Sequence, residues 1–230
     1  MCYTPEISAV FFCIGVSTAI YVYTSIPSAR KTHIHFLLLF YSLMELLQTV
    51  QYFYVNQCDN IINKLSTELA YILVIVQPLA WNTYFYYNSN KCEKHIFTAA
   101  IYMCLVWMAV NVYSRLTYKV VNKPQTQDNS VFASDKVCVR KMHSHLYWTW
   151  TSSNLYELNA NFLSYLMLWF IPALTSSQLS DALIVIIGGL IGAAFGYTNN
   201  ISEIYYTFTA SWCFISVPIV MSVLAKKLMF

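Results

Sequence analysis

Charge is what this chain has least of. Asp, Glu, Lys and Arg make up 10% of its 230 residues, against roughly 25% in soluble domains. A water-facing surface on a chain of this length needs more. The net charge of +3 is small, and its basic residues form no single patch, so no nucleic-acid partner is expected. Zinc-type Cys/His spacing, a nucleophile–base pair and a phosphate-cradling loop are all absent. No metal, cofactor or enzymatic activity is therefore expected. Lys and Arg are also missing from the interior of every long apolar run, and these runs leave no room for a separate soluble domain.

Hydrophobic residues, by contrast, reach 58%. They gather in runs over 7–24, 34–55, 67–87, 95–114, 152–174, 182–198 and 203–225. About 20 mostly apolar residues suffice for a helix to cross a bilayer. The expectation is an all-α membrane protein in which 1–230 form a single domain, a bundle of seven transmembrane helices. The lipid bilayer is then its first partner, and 115–151 is one long outer loop.

Glu6 is the only charge before the first run, and Arg30 and Lys31 follow it. That pattern suits a retained helix with its N-terminus outside better than a cleaved leader. Lys91, Lys94, Lys226 and Lys227 then also fall on inner connections, with the C-terminus cytoplasmic. The short outer connections carry only Lys64; the basic residues of the long loop count for less. Cys58 and Cys138 both lie outside, where they either form a disulfide or stay as free thiols. Cys13, Cys104 and Cys213 read as small buried hydrophobes. Tyr84 to Tyr87, Tyr147, Trp148 and Trp150 read as interfacial aromatics.

Four of the five glycines fall together, at Gly188, Gly189, Gly192 and Gly196. Gly188, Gly192 and Gly196 repeat every four residues and flatten one face of the sixth span. A helix of the same chain is the expected partner; an oligomer through this face is the alternative. Pro78, Pro172 and Pro218 should kink their spans.

The functional question rests on polar residues inside the runs. Tyr41, Glu45, Gln48 and Tyr52 share one face of the second span. A carboxylate at the depth of Glu45 costs about 2.5–3.5 kcal/mol to insert, so it should face the bundle interior. Glu68, Tyr71, Pro78 and Asn82 share a face of the third span, with Gln77 off it. Asn154, Glu157, Asn161 and Ser164 line the fifth. Glu68 and Glu203 read as carboxylates at helix N-termini. His33 and His35 read as interfacial. Together these residues suggest a polar vestibule opening outward, with Glu45 at its floor.

Several seven-helix families do not fit. A retinal protein needs a lysine inside the last helix, and 203–225 has none. No acidic-Arg-aromatic triplet follows the third span, which argues against a G-protein-coupled receptor. The segments Tyr41-Ser42-Leu43-Met44-Glu45-Leu46-Leu47-Gln48 and Gln77-Pro78-Leu79-Ala80-Trp81-Asn82 resemble those of uncharacterised multi-pass proteins of large DNA viruses of algae and protists. The resemblance implies a seven-helix bundle in a host membrane, without an established activity. The expected function is a small transporter or channel for protons, cations or a small polar solute. Glu45 would be central, with Gln48, Asn82, Glu157 and Asn161 around it. A receptor-like, ligand-binding bundle and a membrane scaffold are the alternatives.

Overall fold

Local signals start the helices where the structure, a computed structural model, places them. It describes residues 4–117, 137–142, 145–151, 162–199 and 204–229. The Thr4 hydroxyl accepts from Ile7 N–H at 3.3 Å, and a proline opens α1 (Pro5–Ser25). A short α2 (Pro27–Lys31) follows, and His33 turns the chain at φ 60° into α3 (Ile34–Tyr52). The Asn60 side chain accepts from Ile62 N–H at 2.8 Å and caps α4 (Ile61–Asn88). Then come α5 (Lys94–Leu116), an antiparallel hairpin of β1 (Cys138–Met142) and β2 (His145–Thr149), α6 (Phe162–Leu174), α7 (Leu179–Asn199) and α8 (Ile204–Met229).

The described residues are therefore predominantly helical, and contacts at the two ends fix an alternating direction. At one end, Cys58 after α3 is bonded to Cys138 of β1, and Arg115 at the end of α5 pairs with Glu68 near the start of α4. At the other, Asn88 closing α4 donates to Thr32 O at 3.0 Å, and Lys226 near the end of α8 pairs with Asp181 at the start of α7. We call these the hairpin end and the lysine end. Within the bundle α3 packs on α1, α4 and α8, while α4 packs on α5 and α6.

The structure corrects the sequence reading in several places. Among the described residues three helices, α1, α3 and α5, are long and apolar enough to cross a membrane, where seven spans are expected from the sequence. The 28-residue α4 has the length. It buries Asn63, Ser66, Thr67, Gln77 and Asn82 inside the bundle, and these polar residues dilute its hydropathy. The apolar helical stretches Ser164–Leu174 and Leu179–Ile191 are shorter. Helix α3 stops at Tyr52 rather than 55, and α4 begins six residues before the expected start at 67. Glu68 thus sits well inside its helix, not at the N-terminus. Trp148 and Trp150 are not interfacial: both are buried, as are Tyr84 and Phe85. Cys13 is exposed on α1, while Cys104 is buried as expected of a small hydrophobe. Helix α7 runs along α8, with Gly188 and Gly189 buried. Gly192 and Gly196 continue the same helix, but their surroundings lie outside the described residues.

The glycine with a visible close approach is Gly15. It lies on the face of α1 formed by Ser8, Gly15, Ala19 and Val22, which is the face buried against α3. A Cβ there would run into Ser42 Oγ, which is held by its own bond to Leu38 O at 2.6 Å. Alanine is the better helix former by about 0.8–1.0 kcal/mol. Even so, Gly15→Ala should destabilise the bundle, because overpacking costs about 1–3 kcal/mol. Combining it with Ser42→Ala should restore most of the loss. Thermal unfolding of the four proteins in detergent measures the coupling, and strictly additive effects would contradict this contact.

Candidate functional site

Polar side chains cluster at three levels of the bundle. The hairpin end is the most ordered. The Asn63 side chain donates to Val139 O at 3.0 Å and to Tyr54 O at 2.8 Å, and its own oxygen accepts from Val139 N–H at 3.0 Å. Asn56, at φ 65°, accepts from Lys141 N–H at 2.9 Å. Trp148 donates to Gln51 Oε1 at 2.9 Å, and Gln51 in turn donates to Ser66 O at 2.9 Å. Trp150 donates to Thr67 O at 2.7 Å. Arg115 bridges Glu68 and Thr151 O above the Tyr71 ring, 4.9 Å from its centroid. The hairpin packs on α4 and α8 at this end, where the outward vestibule is expected. Glu68 pairs with Arg115 and keeps part of its side chain exposed.

The middle level holds Glu45. Tyr41, Glu45 and Gln48 are all buried, as their shared face requires, and Tyr52 is half-buried. Glu45 is 1% exposed, and its Oε1 has no hydrogen-bond partner among the described residues. The Ser8 hydroxyl of α1 faces the carboxyl. None of the ion pairs among the described residues includes Glu45. Gln77 donates to Met44 Sδ at 3.0 Å and accepts from Tyr165 OH. Asn82 donates to Pro78 O at 2.8 Å and to Leu168 O at 2.9 Å, tying α4 to α6, while its Oδ1 has no partner among the described residues. Trp81 donates to Tyr41 OH at 2.7 Å and stacks on Trp169, 6.2 Å between centroids. The fifth-span residues Asn154, Glu157 and Asn161, and Glu203 of the seventh, lie outside the described residues.

The lysine end carries a group that sequence reading passed over. Asp181 was placed on a connection, yet it lies in the first turn of α7 and is fully buried. Its Oδ1 pairs with Lys226 Nζ at 2.6 Å, and its Oδ2 with Lys227 Nζ at 3.2 Å. Tyr84 OH donates to Oδ2 at 2.8 Å. The only signal in the sequence was an acidic first turn that the dipole favours, with two lysines far along the chain. Beside this cluster is an open cavity of about 360 Å³ lined by Ser28, Ala29, Thr32, Gln178, Lys226 and Lys227. Nearby, the backbone N–H and hydroxyl of Ser177, with Asn90, hold the exposed Glu93 carboxyl below the usual range.

No group of three or more metal-ligating side chains is present among the described residues. The chain belongs to a family of unknown function (DUF5765), whose model matches residues 6–229. No curated protein and no solved structure matches it.

Two outcomes follow. Asp181→Asn should destabilise the protein by about 2–3 kcal/mol, measured by thermal unfolding. The loss falls short of the ~3–5 kcal/mol for a fully buried pair because both lysines keep contact with solvent. Glu93 has a depressed pKa, so its tie between the 88–94 and 175–178 turns holds at neutral pH. The tie is lost as pH falls through that lowered value. Amide hydrogen exchange at those turns should rise on acidification in the wild type and be already high in Glu93→Gln.

Proposed function

We propose that this is a seven-helix, multi-pass membrane protein that passes protons, small cations or a small polar solute through its bundle, with Glu45 as the exchanging group. The observation that carries the reading is a buried carboxyl with an oxygen left unbonded. Burying such a group without a partner is costly, and an intramembrane carboxyl is by default a functional candidate.

The surface supports a membrane setting. Helix α1 exposes Val10, Ile14, Ile20 and Tyr21, and α5 exposes Tyr102, Met103, Leu105 and Val106. Apolar faces of this extent suit lipid and not water. The alternating helices suit a bundle that crosses at each of the seven long elements. The disulfide favours an oxidising, outer hairpin end. Lys31, Lys91, Lys94, Lys226 and Lys227 favour a cytoplasmic lysine end. Gln77 and Asn82 act in this reading as ties between helices, the role a scaffold would give them. The open cavity favours a second reading, a ligand-binding bundle.

Glu45→Gln keeps the shape of the side chain and removes its exchangeable acid. In liposomes carrying an internal pH dye, it should reduce proton flux to that of protein-free liposomes. Glu45→Asp should retain a part. Wild-type flux through Glu45→Gln would overturn the proposal.

A further inference from the structure

At the lysine end the cavity has a wall of unusual charge. Lys226 and Lys227 both line it, and both ammonium groups pair with the buried carboxylate of Asp181. Two positive charges against one negative leave an excess of one at the cavity wall. Lysines in the last turn of a helix have an ordinary reason to be there, since they offset the dipole. That reason does not account for the buried carboxylate that fixes them. Both Asp181 oxygens are occupied, one by Lys226 and the other by Tyr84 and Lys227. Each lysine is thereby held in one direction, although it stands on a flexible stem.

An ammonium has three donors. Lys226 uses two among the described residues, on Asp181 and Ser180. Lys227 uses one on Asp181, and its Nζ lies 5.7 Å from the Tyr84 ring centroid. Donors therefore remain on both. The lining also includes two residues with neutral hydrogen-bonding side chains, Ser28, exposed on α2, and Gln178. The cavity is open, and Leu228 and Met229 beside it are exposed and apolar.

We infer that this cavity is a binding site for a phosphate group, free or carried on a lipid headgroup, with Lys226 and Lys227 as its cationic ligands and Ser28 and Gln178 as neutral donors. Point-charge lysines on a pre-set carboxylate suit a tetrahedral oxyanion, which accepts from several directions at once. The site is independent of Glu45, on a different helix pair and at the other level of the bundle.

The test uses the full chain in nanodiscs. Inorganic phosphate is titrated calorimetrically into phosphatidylcholine nanodiscs. In parallel, nanodiscs containing phosphatidic acid are examined for co-purifying lipid by native mass spectrometry. Gln178→Glu and Ser28→Glu each put a negative charge into the cavity without touching Asp181 or its lysines. Each should weaken binding at least about tenfold, by like-charge repulsion at close range. Lys226→Ala/Lys227→Ala should abolish binding, with the two glutamate variants as the controls that keep the buried pair intact. Phosphate binding that the glutamate variants lose identifies the free anion. Retention of phosphatidic acid by the wild type alone identifies the headgroup. If neither probe binds the wild type, or if both glutamate variants bind as the wild type does, the inference is overturned.

Discussion

A polar side chain inside an apolar bundle has no water to turn to, so it must find its partner within the chain. Most of this structure follows from that constraint. Hydroxyls on the helices solve it locally by donating one turn back: Ser42 to Leu38 O at 2.6 Å, Thr67 to Asn63 O at 2.7 Å, Thr83 to Leu79 O at 2.7 Å. Amides and indoles are too long for that alone and reach across. Asn82 joins α4 to α6, Gln77 joins α4 to α3 and α6, and Trp81 joins α4 to α3. Helix α4 supplies most of these bridges, which explains both its central position and its modest hydropathy.

The same constraint shapes the two ends differently. At the hairpin end the exposed strand backbone of β1 would face α4 with open donors and acceptors. Asn63 closes it from below, accepting from Val139 N–H and donating to Val139 O, while the Cys58–Cys138 bond fixes the strand against α3. At the lysine end a carboxylate is buried instead, and long cationic side chains can reach it while their stems cover apolar surface. One end is closed by neutral amides and a covalent bond, the other by ions beside a cavity.

Helix content was legible because apolar runs of span length announce it. The positions of helix ends were less so: Asn60 as a cap lies seven residues before the apolar run that marked the third span. Burial of Tyr41, Glu45 and Gln48 followed from their spacing alone. The roles of Trp148, Trp150, Tyr84 and Phe85 did not, because an aromatic at a helix end has the same composition whether it meets headgroups or a folded hairpin. Gly15 was overlooked for a related reason. It stands alone, whereas the glycines of α7 form a repeat, yet close approach depends on what faces a residue and not on repetition. Asp181 and the adjacent pair Lys226 and Lys227 are far apart in sequence, Lys226 lying 45 positions after Asp181. No local pattern brings them together; the antiparallel pairing of α7 and α8 does.

Among the described residues two carboxylates are thus buried, and their circumstances are opposite. Asp181 stands at a helix start, where the dipole favours its charge, and three donors meet its two oxygens. Glu45 stands mid-helix, where no dipole end reaches it, with Ser8 opposite and one oxygen unbonded. The partners of Asp181 account for its burial, since removing any member leaves the others uncompensated. That account does not extend to Glu45. A glutamine there would meet the same hydroxyl and would avoid burying an acid at all. In the proposed function the difference is the proton, which an acid can exchange and an amide cannot.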